Sequence, residues 1–176
     1  ISLLDGFDLQ EKQPVYVLRF HRELIAPEFV DFCIQSLQEY LYQPVQGLFE
    51  LTDFEFDGEN FCIIYKFQQT KLMSLELFLK KIQSTPESSK KRYKLLLKIS
   101  RVLHDIEQKK LVFGNFSLNN IFISDTEDVV LGPAKIHLIC LSYFYESVEI
   151  FDGSVFISPD FLKDFSSSTK TDIYGF

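Results

Sequence analysis

The stretch LVFGNFSLNN, residues 111–120, has the outline of a working loop: it follows an amphipathic helical segment and runs into the apolar strand IFIS. Its polar groups are Asn115, Ser117, Asn119 and Asn120, with no acid, base or cation among them. Side-chain amides donate and accept hydrogen bonds but take up no proton near neutral pH, and one amide oxygen without an acidic neighbour holds a divalent cation poorly. The chemistry within reach is therefore the tying of a loop rather than acid–base work. Three acids, Asp125, Glu127 and Asp128, follow closely in sequence, but they belong to a turn between two short strands and are expected to point away from the loop.

Other reactive residues are scattered. Cys33, Cys62 and Cys140 are odd in number and show no C-x-x-C spacing, so neither a disulfide framework nor a zinc site is indicated. A reducing, cytoplasmic setting is expected. His21, His104 and His137 lie far apart, and none shares a helix face with another His or Cys. With 18 Lys and Arg against 25 Asp and Glu, the net charge of −7 argues against nucleic acid as a partner. The basic run KKRYK at 90–94 reads as the solvated start of a helix. The most apolar stretch, IHLICLSYFY at 136–145, is about half the length of a membrane span, so no span is expected. A start at Ile1, without Met, suggests an excerpt of a longer chain.

Apolar residues at 46% and charged residues at 24%, with nineteen Phe, are the composition of a folded domain with one good-sized core. VYVLRF at 15–20 alternates as a strand with Tyr16, Leu18 and Phe20 on one face. Pro27 suits the first position of a helix reaching about Tyr42, with an apolar stripe of Val30, Cys33, Ile34, Leu37 and Leu41. LFELTDFEF and NFCIIYKF flank Asp57-Gly58 and predict a hairpin over 48–67. A polar connector, QQTK, leads to a short helix around 75–82. Thr85 is expected to cap a helix beginning at Pro86, whose inner face would carry Leu96, Ile99, Leu103 and Ile106. NIFIS and VVLG predict a strand pair joined by DTED, and from Pro133 to Ser158 no period dominates, which predicts a long irregular segment.

In this order the chain resembles the eukaryotic protein-kinase fold. LVFGNFSLNNIFI is similar to the catalytic loop H-R-D-L-K-x-x-N-I; VVLGPAK falls where L-x-D-F-G belongs; GSVFISPDF resembles the stretch ending in A-P-E; and TDIYGF resembles the D-x-x-S-x-G that opens the central helix of the larger lobe. The resemblance implies an α+β, bilobal fold: residues 1–67 as a small sheet lobe with one helix, and 68–176 as part of the helical lobe. Within the latter, 111–120 would be catalytic-loop-like, 133–160 activation-segment-like and about 170–176 the start of the central helix, with its remaining helices outside this chain.

Carried over position by position, the resemblance implies an emptied site. The catalytic Asp aligns with Asn115, the Lys two residues on with Ser117, the His with Phe113, and the metal-binding Asp with Pro133, which brings no carboxylate. The strand Lys aligns with Leu18, while the neighbouring Arg19 should point to the other face. The helix Glu falls near Ile34 or Gln35, with Glu39 a turn away. Of seven Gly only Gly6 precedes the first clear strand, so the glycine-rich lid is missing too. Asn120 alone of the chemical set survives. A general base alone is worth about 10²–10⁴ in rate, and the metal clamp has gone with it.

The expectation is thus a catalytically dead kinase-like module, a pseudokinase, that binds protein partners as a scaffold or allosteric element, holding neither ATP nor magnesium. Asn115 and Asn120 would tie the loop; Asp172 would hold its backbone from below; Tyr65, with Tyr16 and Leu18, would fill the nucleotide cleft with side chains. Asp160, after Pro159, would seek an Arg or sit solvated at a helix start. Two rivals stand beside this: an atypical kinase that still binds ATP and transfers a phosphoryl group through Asp125, Glu127 or Asp128, and a structural subunit whose kinase fold is a relic.

Overall fold

The computed structural model describes residues 2–8, 12–21, 25–66, 71–83, 85–143, 158, 161, 163 and 167–175. Among them the chain is α+β, with two antiparallel sheets and five helices. It divides into two compact units, residues 1–44 with 49–70, and residues 45–48 with 71–176.

The first unit is a four-stranded sheet and one helix. Its strands are β1 (Ser2–Asp8), β2 (Gln13–His21), β3 (Glu50–Asp57) and β4 (Asn60–Lys66), in the order β1-β2-β4-β3. Helix α1 (Pro27–Leu41) starts with proline, whose missing N–H would have been unpaired there in any case. Asp57 and Asn60 close the β3–β4 hairpin, with Gly58 at φ +50°, a backbone angle that costs glycine nothing. Cross-strand pairs Leu18–Ile63 and Phe20–Phe61 place these side chains on one face. Phe20 meets Phe29 of α1 at 5.5 Å between ring centroids, so α1 covers that face. The buried side of α1 is Phe29, Val30, Cys33, Leu37 and Tyr40, rotated slightly from the expected stripe: Ile34 and Leu41 are half-buried.

Strand β1 is a correction to the sequence reading, which began the sheet at residue 15. Asp5, Gly6 and Asp8 are poor strand formers and mask its character. Full pairing from Ser2–Arg19 to Asp8–Gln13 makes it a strand regardless.

The second unit begins with β5 (Leu72–Ser74), also unforeseen, which runs directly into α2 (Leu75–Ile82). The Ser74 hydroxyl accepts from Leu77 N and caps α2. Thr85 does not cap the next helix: its hydroxyl donates to the Ile82 carbonyl and finishes α2 instead. Helix α3 therefore starts two residues later than expected, at Ser88, and runs to Gln108. Its buried face is Leu95, Ile99, Val102 and Ile106, whereas Leu96 is 51% exposed. Strands β6 (Ile121–Ser124) and β7 (Val129–Leu131) pair with each other, and β6 with β5. Residues 45–48 belong to this unit; Leu131 N donates to Gly47 O and Leu48 bridges Leu131, covering the outer edge of β7.

A further correction lies at 136–143, expected to be irregular. It is a helix, α4 (Ile136–Tyr143), with Ile136, Leu138, Ile139 and Cys140 buried. A helix that is apolar nearly all round shows no amphipathic period because more than one side is covered. The last helix is α5 (Thr169–Gly175). Pro159 and Asp160 lie outside the described residues, as does most of 144–160.

Candidate functional site

The loop at 111–120 begins with the way α3 ends. Lys110 takes φ +58°, its N–H donates to Glu107 O, and Leu111 N reaches back to Ile106 O at 3.1 Å. This is a Schellman ending, with Lys in the left-handed position usually given to glycine. Ile106 and Leu111, the two apolar residues such a turn brings together, are both fully buried. The chain leaves α3 with Leu111, Val112 and Phe113 pointing inward, and Phe113 packs edge-on to Phe116 at 5.0 Å. Phe113 is thus a core aromatic.

Asp172 of α5 grips the loop from the opposite side. Its two carboxylate oxygens accept from Phe113 N at 2.7 Å and Gly114 N at 2.6 Å. Burial pushes the Asp172 carboxyl up to about 6; the two backbone N–H groups and the Lys135 charge pull the other way and offset burial only in part. Gly114 sits at φ +58° and lies so close to Leu138 of α4 that an added Cβ would collide with it. One residue thus meets two demands, a left-handed backbone and a close approach, that only glycine satisfies. The Phe113 carbonyl accepts from Lys135 N at 2.6 Å, and Lys135 is itself left-handed at φ +56°.

The amides face the segment after β7. Asn115 Nδ2 donates to Pro133 O at 2.9 Å, and Asn120 Nδ2 donates both to Asn115 O at 3.1 Å and to Pro133 O at 3.3 Å. Ser117 closes the turn: its hydroxyl and its carbonyl both accept from Asn120 N. Gly132 N returns a bond to Asn120 O, and the Asn120 side chain lies where a Cβ on residue 132 would be. The structure therefore brings Phe113, Asn115, Ser117, Asn120, Pro133 and Asp172 into one cluster, in which proline's carbonyl is the shared acceptor.

The acidic turn is engaged elsewhere. Lys98 of α3 bonds Asp128 Oδ1 at 3.0 Å and Glu127 O at 2.7 Å, and Lys91 lies 3.5 Å from Glu127 Oε1. Hydrogen bonds from Lys98 and Thr126 hold the Asp128 carboxyl below its usual range. Among the described residues no group of three or more His, Cys, Asp or Glu is arranged to hold a metal ion.

The chain matches no protein-family model and no curated protein.

In the first unit, Leu18 and Tyr65 are core residues of the sheet face under α1, and Tyr16, opposite Tyr65 in register, packs on Phe49 at 4.8 Å. Arg19 lies on the other face opposite Cys62, and its Nε is buried without a hydrogen-bond partner among the described residues. Sequence reasoning missed Gly114, Gly132 and Lys135. The two glycines could have been flagged by their place on either side of a polar loop; nothing in the sequence marks Lys135 as left-handed.

Proposed function

We propose that this chain is a catalytically inactive, protein-kinase-like domain that works as a protein-interaction, scaffolding or allosteric module. One observation carries the reading: the amides at the positions where that family keeps its base and a metal ligand, Asn115 and Asn120, both donate to the carbonyl of Pro133, the residue at the position of the metal-binding Asp. Groups that would otherwise face a substrate are turned to holding two segments of the chain together. The order of elements adds support: strands, a helix and a strand pair, followed by a mainly helical unit with a small hairpin. The pairing of Glu127 and Asp128 with lysines of α3 counts against their service as metal ligands in an atypical kinase.

The test is a thermal-shift titration with ATP, with and without magnesium, run beside an assay for transfer of labelled phosphate to a generic peptide. A ligand that binds only the folded state stabilises it by RT ln(1 + [L]/Kd), so 5 mM ATP at a Kd of ~0.1 mM would add ~2 kcal/mol. The expected result is no shift and no labelling. Magnesium-dependent stabilisation, or phosphate on the peptide, would sink the reading.

A further inference from the structure

The basic start of α3 plays no part in the loop, and Lys90, Arg92 and Lys94 are exposed there, as expected of a solvated helix start. Helix α3 carries two sets of cations. Lys91 and Lys98 lie on the flank toward β6–β7 and are met by Glu127 and Asp128. Lys90, Lys94 and Arg101 lie on the same side of the helix but farther round from the core, are exposed, and have no ion pair among the described residues. Between these unpaired cations and exposed Arg92, on the side away from the core, stand Tyr93, Leu96 and Leu97 at 63%, 51% and 41% exposure.

Three large apolar side chains at helical spacing of three and four form an anchor row for a second helix. Scattered single apolar residues on a surface need no explanation, but a row on one helix rimmed by unpaired cations does. The chain as a whole has a net charge of −7, so this rim runs against its own background. Cations desolvated at the edge of an apolar contact must meet anions to be stabilised there. The same helix shows how this works where its own unit supplies carboxylates, at Lys91 and Lys98.

We propose that the outer face of α3 is a docking surface for an acidic amphipathic helix of a partner protein, with Tyr93, Leu96 and Leu97 receiving its apolar side chains and Lys90, Lys94 and Arg101 its carboxylates. Nucleic acid fits less well, since Leu96 and Leu97 offer no stacking surface for bases. An anionic membrane fits less well too, since the apolar area is three side chains wide. The surface is independent of any kinase ancestry, so its failure and that of the proposed function are separate results.

The experiment uses the full chain and a fluorescein-labelled 18-residue peptide with Leu at every third and fourth position and Glu elsewhere, followed by anisotropy. Matched arms use the same peptide with Lys for Glu, vesicles of three parts phosphatidylcholine to one of phosphatidylserine, and a 20-nucleotide single strand of DNA. The acidic peptide should bind. It should weaken about tenfold on going from 50 to 500 mM salt, and by a similar factor in Lys94→Glu/Arg101→Glu. Leu97→Ser should weaken binding without changing the salt dependence. If the charge reversal disturbs folding, judged by circular dichroism, Lys94→Gln/Arg101→Gln replaces it with the same expected direction. No binding of the acidic peptide, equal binding of the basic one, or tighter binding of vesicles or DNA overturns the proposal.

Discussion

Asp172 joins two pieces of chain separated by 58 and 59 residues, and it does so as a buried carboxylate with two backbone donors. Its folded-state pKa, near 6, stands above the unfolded value of 3.8 because burial outweighs the donors. An acid with a raised pKa binds more protons in the fold than in the unfolded chain between those two values. Its contribution to stability is therefore largest below pH ~4, declines as pH rises to ~6, and is constant above. Comparing the wild type with Asp172→Asn by urea unfolding isolates this effect. The wild type should lose stability relative to the variant across that window, on the order of 3 kcal/mol for a two-unit shift. A difference that stays flat from pH 4 to 6.5 would mean that Asp172 titrates like an exposed carboxyl. The sequence pointed to Asp172 only by way of the family resemblance. Gly114, which completes the same grip, needs the position of Leu138 to be understood.

Helix α3 illustrates what periodicity can and cannot read. Leucines at 95, 96 and 97 make two frames almost equally apolar, and the reading with Leu96 and Leu103 inward differs from the observed one at two of four positions, each shifted by one residue. The sheet beneath decides between them, since Leu95 and Val102 are the residues that find cover. Truncating Leu95 to Ala should cost about 2–5 kcal/mol, while Leu96→Ala should stay within about 0.5 kcal/mol. Chemical denaturation of both variants checks this, and equal losses would restore the other frame. Strand β1 and helix α4 escaped notice for opposite reasons: β1 carries too few strand formers, and α4 is too uniformly apolar to show a face.

At the scale of the molecule, the three cysteines report on the two units separately. Cys33 and Cys62 lie in the first and Cys140 in the second, all buried. Burial pushes the Cys140 thiol up to about 12, and burial with the charges of Asp57 and Glu55 raises that of Cys62 against the opposing pull of Arg19. Since the thiolate is the reactive form, native protein should resist iodoacetamide at all three positions. In rising urea, with labelling read by mass spectrometry, Cys33 and Cys62 should become reactive together, since one sheet and helix protect both. Labelling of Cys62 well before Cys33 would show that the first unit does not open as one body.

The amino-acid sequence alone determined the features that depend on near neighbours: the alternation of β2, the Asp57-Gly58 hairpin, the start of α1 at Pro27, and a loop at 111–120 that has no acid or base to offer. These follow from side-chain period and backbone preference over a few residues. Only the tertiary structure decided which apolar frame of α3 faces inward, that β1 and α4 exist, and that Asn115 and Asn120 converge on Pro133. Each of those depends on a partner distant in sequence, and burial or a hydrogen bond with such a partner outweighs the weak local preference that sequence patterns report.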